Sequence, residues 1–185
     1  MDRIILVEPS KSHELEALDY IRELIDNDPT VHGAGGLEEY VDDYMAWLKT
    51  VKDFSQGINL PLGYVPASTY FAIREGDNRI VGSVNIRHEL NEHLLINGGN
   101  IGYEVRPTER RKGYATEMLQ LALEKCRDLG LVKVLVTCNK TNTGSAKTIQ
   151  KNSGILENEI IDSQSNELVQ RYWIDVEYAL TQRQS

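Results

Sequence analysis

The stretch "VRPTERRKGYATEMLQLALEK", residues 105–125, decides how this chain is interpreted. A strand-like run ends at Pro107, three basic residues follow at 110–112, and Gly113 comes immediately before a long amphipathic segment. The apolar residues of that segment recur at helical spacing, which predicts a helix from about Gly113 to Leu129 with one face in the core. The residues of that face are Ala115, Met118, Leu119, Ala122, Cys126 and Leu129.

The start of this helix has the chemistry of an anion receptor. The first N–H groups of a helix lack partners within the helix, and the helix dipole places partial positive charge there. Gly113 allows a ligand to approach the backbone closely, and the basic residues 110–112 add positive charge. The pattern therefore favours a phosphate or pyrophosphate ligand. The alternative is a solvated basic turn in front of an ordinary helix.

Composition limits the possible functions. The chain has 185 residues, 41% of them hydrophobic and 26% charged, which is typical of a soluble globular protein with one domain over residues 1–185. A net charge of −8 argues against nucleic acid or an anionic membrane as a partner. The apolar run Ile4–Val7 is too short for a signal peptide, so we expect a cytoplasmic protein. Cys126 and Cys138 are expected to be reduced and buried rather than paired.

Periodicity along the chain predicts a mixed α/β sheet in the order β-α-α-β-β-β-α-β-α-β-β. Strands are expected at 3–9, 68–75, 79–90, 100–105, 131–138, 155–161 and 169–180, and helices at 12–27, from Leu37 to Leu48, at 113–129 and at 142–152. The stretch 53–68 is expected to be a long loop, which in a small domain is often functional. The stretch "HELNEH" (88–93) resembles a zinc motif but has one residue too many, so no metal site is expected.

The hexapeptide Arg110-Arg111-Lys112-Gly113-Tyr114-Ala115 matches the [QR]-x-x-G-x-[GA] signature of the GNAT superfamily of N-acetyltransferases. Its context strengthens the resemblance, with the strand ending Val105-x-Pro107 before it, and a helix, a buried strand and Asn142-x-x-Ser145 after it. The longer pattern is similar to a bacterial subgroup of predicted acetyltransferases. The resemblance implies a GNAT-like central sheet of six or seven strands flanked by helices, with a V-shaped opening between strands 100–106 and 131–138.

The resemblance also implies acetyl-CoA as cosubstrate, with no metal. The pyrophosphate would lie on the backbone amides of Arg111 to Thr116, and the pantetheine and thioester would lie along the strand around Tyr103 to Val105. The residues expected to bind the cofactor are Tyr103, Val105, Arg110, Arg111, Lys112, Gly113, Tyr114, Ala115, Thr116, Asn142 and Ser145.

The catalytic residues are less clearly marked. Many family members protonate the leaving thiolate with a tyrosine on the helix after the asparagine, but Ile149 occupies that position here. Tyr114, Tyr172 and Tyr178 are possible substitutes, of which Tyr172 is retained as the candidate. Glu104 is the best-placed base, against the alternative of a solvent-facing glutamate. His88 is a second candidate, although a lone histidine on an apolar face is more often a core residue.

These residues predict an N-acetyltransferase that acts directly on a primary amine of a small molecule or peptide. Two alternatives stay open, a catalytically impaired acyl-CoA-binding module and an unrelated phosphate-ligand or nucleotide-binding protein. The acidic residues of the predicted second helix favour a cationic acceptor, unless they form only a solvated helix face. They are Glu38, Glu39, Asp42 and Asp43. A homodimer is compatible with this assignment.

Overall fold

The structure is a computed structural model that describes residues 2–28 and 30–182. The strands are β1 (Ile4–Val7), β2 (Ala67–Arg74), β3 (Arg79–Arg87), β4 (Ile101–Val105), β5 (Lys133–Asn139), β6 (Ile155–Ile161) and β7 (Leu168–Asp175). The helices are α1 (Glu14–Asn27), α2 (Tyr44–Gln56), α3 (Glu92–Ile96), α4 (Tyr114–Asp128), α5 (Thr143–Lys151) and α6 (Val176–Thr181).

Within the described residues, the strands form two sheets whose neighbouring strands all pair antiparallel. The first has four strands in the order β1-β2-β3-β4, and the second has three in the order β5-β7-β6. The predicted α/β fold with six or seven strands flanked by helices is confirmed, with the seven strands divided between two sheets. The division falls between β4 and β5, where the cofactor opening was predicted.

Alternation of side chains along β2 places a separate apolar cluster on each face of the first sheet. Phe71 and Ile73 point to one face and pack with α1 and α2. Tyr70 and Ala72 point to the other and pack with α4, which also contacts α6 and the second sheet. Both faces of the four-stranded sheet are therefore covered. Cys126 and Cys138 are buried and unpaired, as expected.

The predicted second helix begins later than its apolar spacing indicated. Residues Leu37–Glu39 form a single 3-10 turn after Gly36, whose φ is 78°. Helix α2 starts at Tyr44 because the Asp43 carboxylate accepts a hydrogen bond from the amide of Ala46 at 2.9 Å, as an N-cap does. The acidic residues at 38–43 therefore precede the helix, which corrects their assignment to its face, and the loop after α2 is correspondingly short, at 57–66.

The predicted last strand is also too long. Strand β7 ends at Asp175, whose carboxylate accepts from the amide of Tyr178 at 2.9 Å and begins α6. The apparent alternation of Val176 and Tyr178 thus continues into a helix. The short helix α3, capped by Asn91, was not predicted, and "HELNEH" accordingly begins just after the last residue of β3 and contains a bend and a helix start. No helix among the described residues is long and apolar enough to span a membrane.

Candidate active site

Strands β4 and β5 separate and leave a slot between them, which begins at a contact between Asn100 and Leu135. The amide of Asn100 donates to the carbonyl of Leu135 at 2.7 Å, and the Asn100 side-chain oxygen accepts from the amide of Leu135 at 2.9 Å. Neighbouring Gly99 lies so close that a Cβ there would be 2.3 Å from the Leu135 oxygen. From this vertex the strands pass into different sheets, and among the described residues β4 and β5 form no ladder. The predicted V-shaped opening is confirmed.

The open edge of β4 carries unpaired backbone groups. Backbone groups of an edge strand alternate between the partner strand and the opposite side. The Asn100 carbonyl accepts from the amide of Arg87 and the Arg106 amide donates to the carbonyl of Val81, so the even-numbered residues between them face β3. The backbone groups of Ile101, Tyr103 and Val105 therefore point into the slot. The carbonyl of Val105 accepts from Nε of Arg110 at 3.2 Å.

At the wide end of the slot, the loop before α4 presents a row of amides. Arg111 has φ 66° and Gly113 has φ 90°, so the chain turns twice through the left-handed region. Among the described residues, the amides of 111–115 have no backbone or side-chain acceptor. The amide of Thr116 donates to the Gly113 carbonyl at 3.1 Å, so the row of unpaired amides ends one residue before the end of the predicted cofactor-binding stretch. Such a concave row of N–H groups suits a phosphate.

The three basic side chains at 110–112 behave differently from one another. Arg110 turns back onto β4 and pairs with Glu104 at 3.0 Å. Lys112 pairs with buried Glu109 at 2.8 Å, which also binds Arg74. Within the described part of the chain, Arg111 has no partner. The backbone amides are thus the main groups that could bind an anion, and among these three basic residues only Arg111 has a side chain free to contact it.

Tyr114 and Ala115 contribute only backbone groups to the loop. The Tyr114 side chain is 3% exposed, lies in the core and accepts a hydrogen bond from Arg74 at 3.3 Å. Ala115 packs against the same core. Their small or inward-facing side chains leave the first turn of α4 accessible.

The side chain of Glu104 points to the face of the sheet covered by α1 and the glycine-rich loop 32–36. Its side chain is 17% exposed, and burial raises its pKa above the ordinary value for a glutamate. Electrostatic interactions with His32 and Arg110, together with hydrogen bonds from Arg110 and the His32 backbone, oppose that rise. Glu104 is therefore a half-buried carboxylate beside the slot, and its raised pKa makes it a stronger base than an ordinary glutamate.

The loop 32–36 lies directly on the sheet beside Glu104. A Cβ at Gly33 would be 2.7 Å from Cα of Tyr103, and one at Gly35 would be 2.5 Å from Oγ1 of Thr69. Trp47 fixes the loop by donating from its indole nitrogen to the Gly35 carbonyl at 2.9 Å. His32 and this close contact were missed from the sequence, where the glycines indicated only a break. Three glycines in five residues could have indicated close backbone approach.

On the opposite face of β4, Tyr103 reaches across the slot to α5. Its hydroxyl and Oγ of Ser145 lie 2.8 Å apart, and burial raises the pKa of Tyr103 to about 12. Cys138 on β5 lies next to this pair and contacts Gln170 at 4.0 Å. The structure thus brings together two predicted cofactor-binding residues, one from each side of the slot.

Asn142 acts as the N-cap of α5, with its side-chain oxygen accepting from the amide of Ser145 at 3.0 Å. Its side chain is exposed, so its NH₂ group can still meet a ligand. Ile149, at the position of the usual tyrosine, is fully buried and packs against Gly154.

The three predicted catalytic residues are not gathered in one place. Ser83 pairs with Glu104, and His88 lies five residues after Ser83, roughly 16 Å along the strand at about 3.3 Å per residue. The ring of His88 shares a hydrogen bond of 2.8 Å with Ser68, and burial lowers its pKa. Tyr172 is 1% exposed and donates to Gln170 at 2.9 Å. Of the three, Glu104 adjoins the slot directly, whereas Tyr172 is connected to it only through Gln170 and Cys138.

Known structures share this architecture. The ribosomal L7/L12 α-N-protein acetyltransferase RimL in complex with coenzyme A superposes with a TM-score of 0.67 at 17% identity, covering 93% of both chains. The microcin C7 self-immunity acetyltransferase MccE, in complex with acetyl-CoA and AMP, gives 0.64 at 16% identity over 95% of this chain and 93% of that one.

A spermidine N-acetyltransferase chimera of Vibrio cholerae SpeG gives a TM-score of 0.65 at 14% identity over 96% of this chain and 98% of that one. At these identities the three structures show a common fold. A comparison with curated protein sequences finds no match. The family model described as "Acetyltransferase (GNAT) domain" matches residues 3–153, more than half of the chain and the whole of the slot. The chain therefore belongs to the GNAT family of acetyltransferases and is an acyltransferase.

Proposed function

We propose that the chain transfers an acetyl group from acetyl-CoA directly to a primary amine of a small molecule or peptide. The observation that carries this proposal is the slot between β4 and β5, which has unpaired strand backbone along one wall and unpaired amides of residues 111–115 at its wide end. A long ligand with a peptide-like arm and a pyrophosphate matches both features. RimL and MccE, which share the fold, were solved with coenzyme A and acetyl-CoA respectively.

The donor would lie along β4 with its pyrophosphate on the amides of Arg111 to Ala115. The pantetheine arm would pair with the backbone of Val105 and Tyr103 in the manner of an added strand. An amide of Tyr103 directed at the thioester oxygen would stabilise the negative charge that develops there during attack. Asn142 would meet the cofactor through its NH₂ group at the entrance to α5.

Glu104 is proposed as the base. The amine must lose a proton before or during its attack, and a carboxylate with a raised pKa accepts that proton better than an ordinary surface glutamate. Its side chain lies on the face opposite Tyr103, so the acceptor would approach from the side of loop 32–36. The salt bridge to Arg110 favours the charged form of Glu104 and so opposes the effect of burial.

The Tyr103–Ser145 pair is proposed to return a proton to the leaving thiolate. The amine nitrogen bonds to the acetyl carbon, the carbon–sulfur bond breaks, and the sulfur takes a proton from one of these hydroxyls. Tyr172, Gln170 and Cys138 form a polar group next to the pair, which gives Tyr172 a supporting position behind it. A structural role is proposed for His88, whose ring shares a hydrogen bond with Ser68 and would hold the end of β3 next to the start of β2.

A second function has one observation in its favour. Ile149 fills the position of the usual tyrosine with a fully buried side chain. A chain that binds acyl-CoA without turning it over would have this feature.

A thiol-release assay separates the two functions. Purified chain is incubated with acetyl-CoA and, in turn, with amino acids, amino-acid amides, polyamines, aminoglycosides and peptides, and free coenzyme A is followed over time. Acceptor-dependent thiol release and an acetylated amine by mass spectrometry are the expected result. Binding of acetyl-CoA by calorimetry, without thiol release for any acceptor, would leave only the binding module. Failure to bind coenzyme A would refute both.

A further inference from the structure

Arg87 lies on the same face of the sheet as Glu104. Along β3, Ser83 pairs with Glu104 and Asn85 pairs with Gly102, and Arg87 follows at the next position of that face. Its guanidinium extends back over Gly102, because a Cβ built there would be 3.2 Å from Nη1 and 3.4 Å from Nη2. A glycine at 102 is what allows this position. The guanidinium thus lies one residue from Tyr103, whose backbone faces the slot.

The charge of Arg87 has no counter-charge. Nη1 donates to the carbonyls of Gly98 and Gly99 at 3.0 and 3.4 Å. Among the described residues, no carboxylate lies within ion-pair distance of Arg87, and its Nε and Nη2 have no hydrogen-bond partner. Arg106, which is more deeply buried than Arg87, is bound by the carboxylates of Glu16, Asp19 and Glu23.

A partly buried cation without a counter-charge is costly to a fold, and burial correspondingly lowers the pKa of Arg87. Two of its three nitrogens remain able to donate in the planar fork that binds a carboxylate. Such an arrangement is expected where a ligand, rather than the protein, supplies the anion.

The spacing between Arg87 and Glu104 limits which ligand can use both. Glu104 is two residues beyond Gly102, roughly 7 Å along β4 at about 3.3 Å per residue. The backbone of Tyr103, at whose slot-facing edge the acetyl group is proposed to lie, is between them, and because Gly33 packs on its face the acceptor would have to run along the open edge of β4. An acceptor that places its amine near Glu104 can place a second group on Arg87 only if a short carbon chain joins the two.

We propose that the acceptor is a free amino acid, whose amine is deprotonated by way of Glu104 and whose carboxylate is held by Arg87. This inference rests on the proposed acetyl transfer and adds the acceptor class. A free amino acid also matches the two charged groups of this face. Its cationic amine would meet the carboxylate of Glu104, and its carboxylate would meet Arg87, whose guanidinium is the one without an ion-pair partner among the described residues of β3. A polyamine would place a second cation against Arg87 and is disfavoured.

The test compares amino acids with their carboxamides, which keep the amine and side chain but lack the carboxylate. The wild-type chain is expected to acetylate its best amino acid about 10- to 100-fold more efficiently than the matching amide, as for a hydrogen-bonded charge. Arg87→Gln should remove most of that preference, mainly through KM, and Arg87→Lys should restore part of it. Arg127→Gln, at the exposed end of α4, makes the same charge change away from the slot and should retain the preference.

The outcomes separate this inference from the proposed function. Thiol release with amines but equal efficiency for acids and amides would overturn the inference and leave acetyl transfer standing. Equal losses for acids and amides in Arg87→Gln would show that Arg87 only supports the Gly98–Gly99 turn. Absence of thiol release with every acceptor would overturn the proposed function itself. Calorimetry should give the same affinity for coenzyme A in Arg87→Gln and the wild type.

Discussion

Replacing Tyr103 with phenylalanine tests whether the Tyr103 hydroxyl protonates the leaving thiolate in place of the usual tyrosine. The change removes one hydroxyl that lies 2.8 Å from Oγ of Ser145 and leaves the ring in place against the core. Losing a hydrogen bond of this kind costs about 0.5–1.5 kcal/mol of stability. For a chain of 185 residues this corresponds to a fall in Tm of roughly 1–6 °C, so the variant should remain folded at assay temperature.

The expected effect on turnover is much larger than that on stability. Proton transfer by a positioned side chain contributes about 10²- to 10⁴-fold to a rate. Tyr103→Phe should therefore lower kcat by at least about 10²-fold if its hydroxyl is the donor, with the affinity for coenzyme A unchanged, because the cofactor is held by backbone groups. Since burial raises the pKa of Tyr103 to about 12, the hydroxyl stays protonated over the working pH range and should add no alkaline limb there.

Ser145→Ala and the double variant complete the assay, with thiol release giving kcat and calorimetry giving the coenzyme A affinity. If the two hydroxyls act as one unit, the double variant should be about as slow as the slower single variant, because removal of either breaks the same path. An unchanged kcat in Tyr103→Phe would refute the assignment of the acid. Independent, multiplicative losses would refute the shared path.

Three further changes test the rest of the site. Glu104→Gln should lower kcat/KM by about 10²- to 10⁴-fold. Because the folded-state pKa of Glu104 is raised, the activity of the wild type should fall as the pH drops through a value above the pKa of an ordinary glutamate. If the variant leaves the pH profile unaltered, Glu104 is not the base. Gly113→Val should weaken coenzyme A binding at least about tenfold, because a β-branched residue is strained at φ 90° and the amides 111–115 must reorient. The matched control is Gly130→Val, at φ 77° in open space, which should bind coenzyme A normally. Ile149→Tyr should fail to add activity and should destabilise the fold by about 2–5 kcal/mol in denaturant unfolding, through overpacking and an unpartnered hydroxyl, whereas a stable and faster variant would show that the position can still hold the acid.

The sequence determined the features that depend on neighbouring residues. The apolar spacing after Gly113 specifies α4, and the left-handed turn in front of it follows from that glycine. The continuous apolar run of β5, the aromatic and β-branched residues of β2 and the alternation at the end of β3 were sufficient for the strands, because this patterning is a local property of the chain. The family signature lies in this same segment, so the acetyltransferase assignment could be made from it.

The errors arose where local patterns were ambiguous. The apolar spacing from Leu37 suits a helix, but glycines with positive φ precede it and Asp43 caps a helix that begins only at Tyr44. Val176 and Tyr178 continue the alternation of β7 although the carboxylate of Asp175 begins a helix there. A capping side chain selects one structure where two periodicities both fit.

Only the tertiary structure decided what the polar side chains of the site can do. Arg110 and Lys112 look equally available in the sequence, yet each is paired with a carboxylate. Arg106 is buried and Arg87 is partly buried, but only Arg106 meets acidic residues, and those come from α1 far away in the chain. The slot itself exists because β4 and β5 touch at Asn100 and Leu135 and then join different sheets. Pairing and exposure of this kind depend on segments distant in sequence, so they follow from packing rather than from any local pattern.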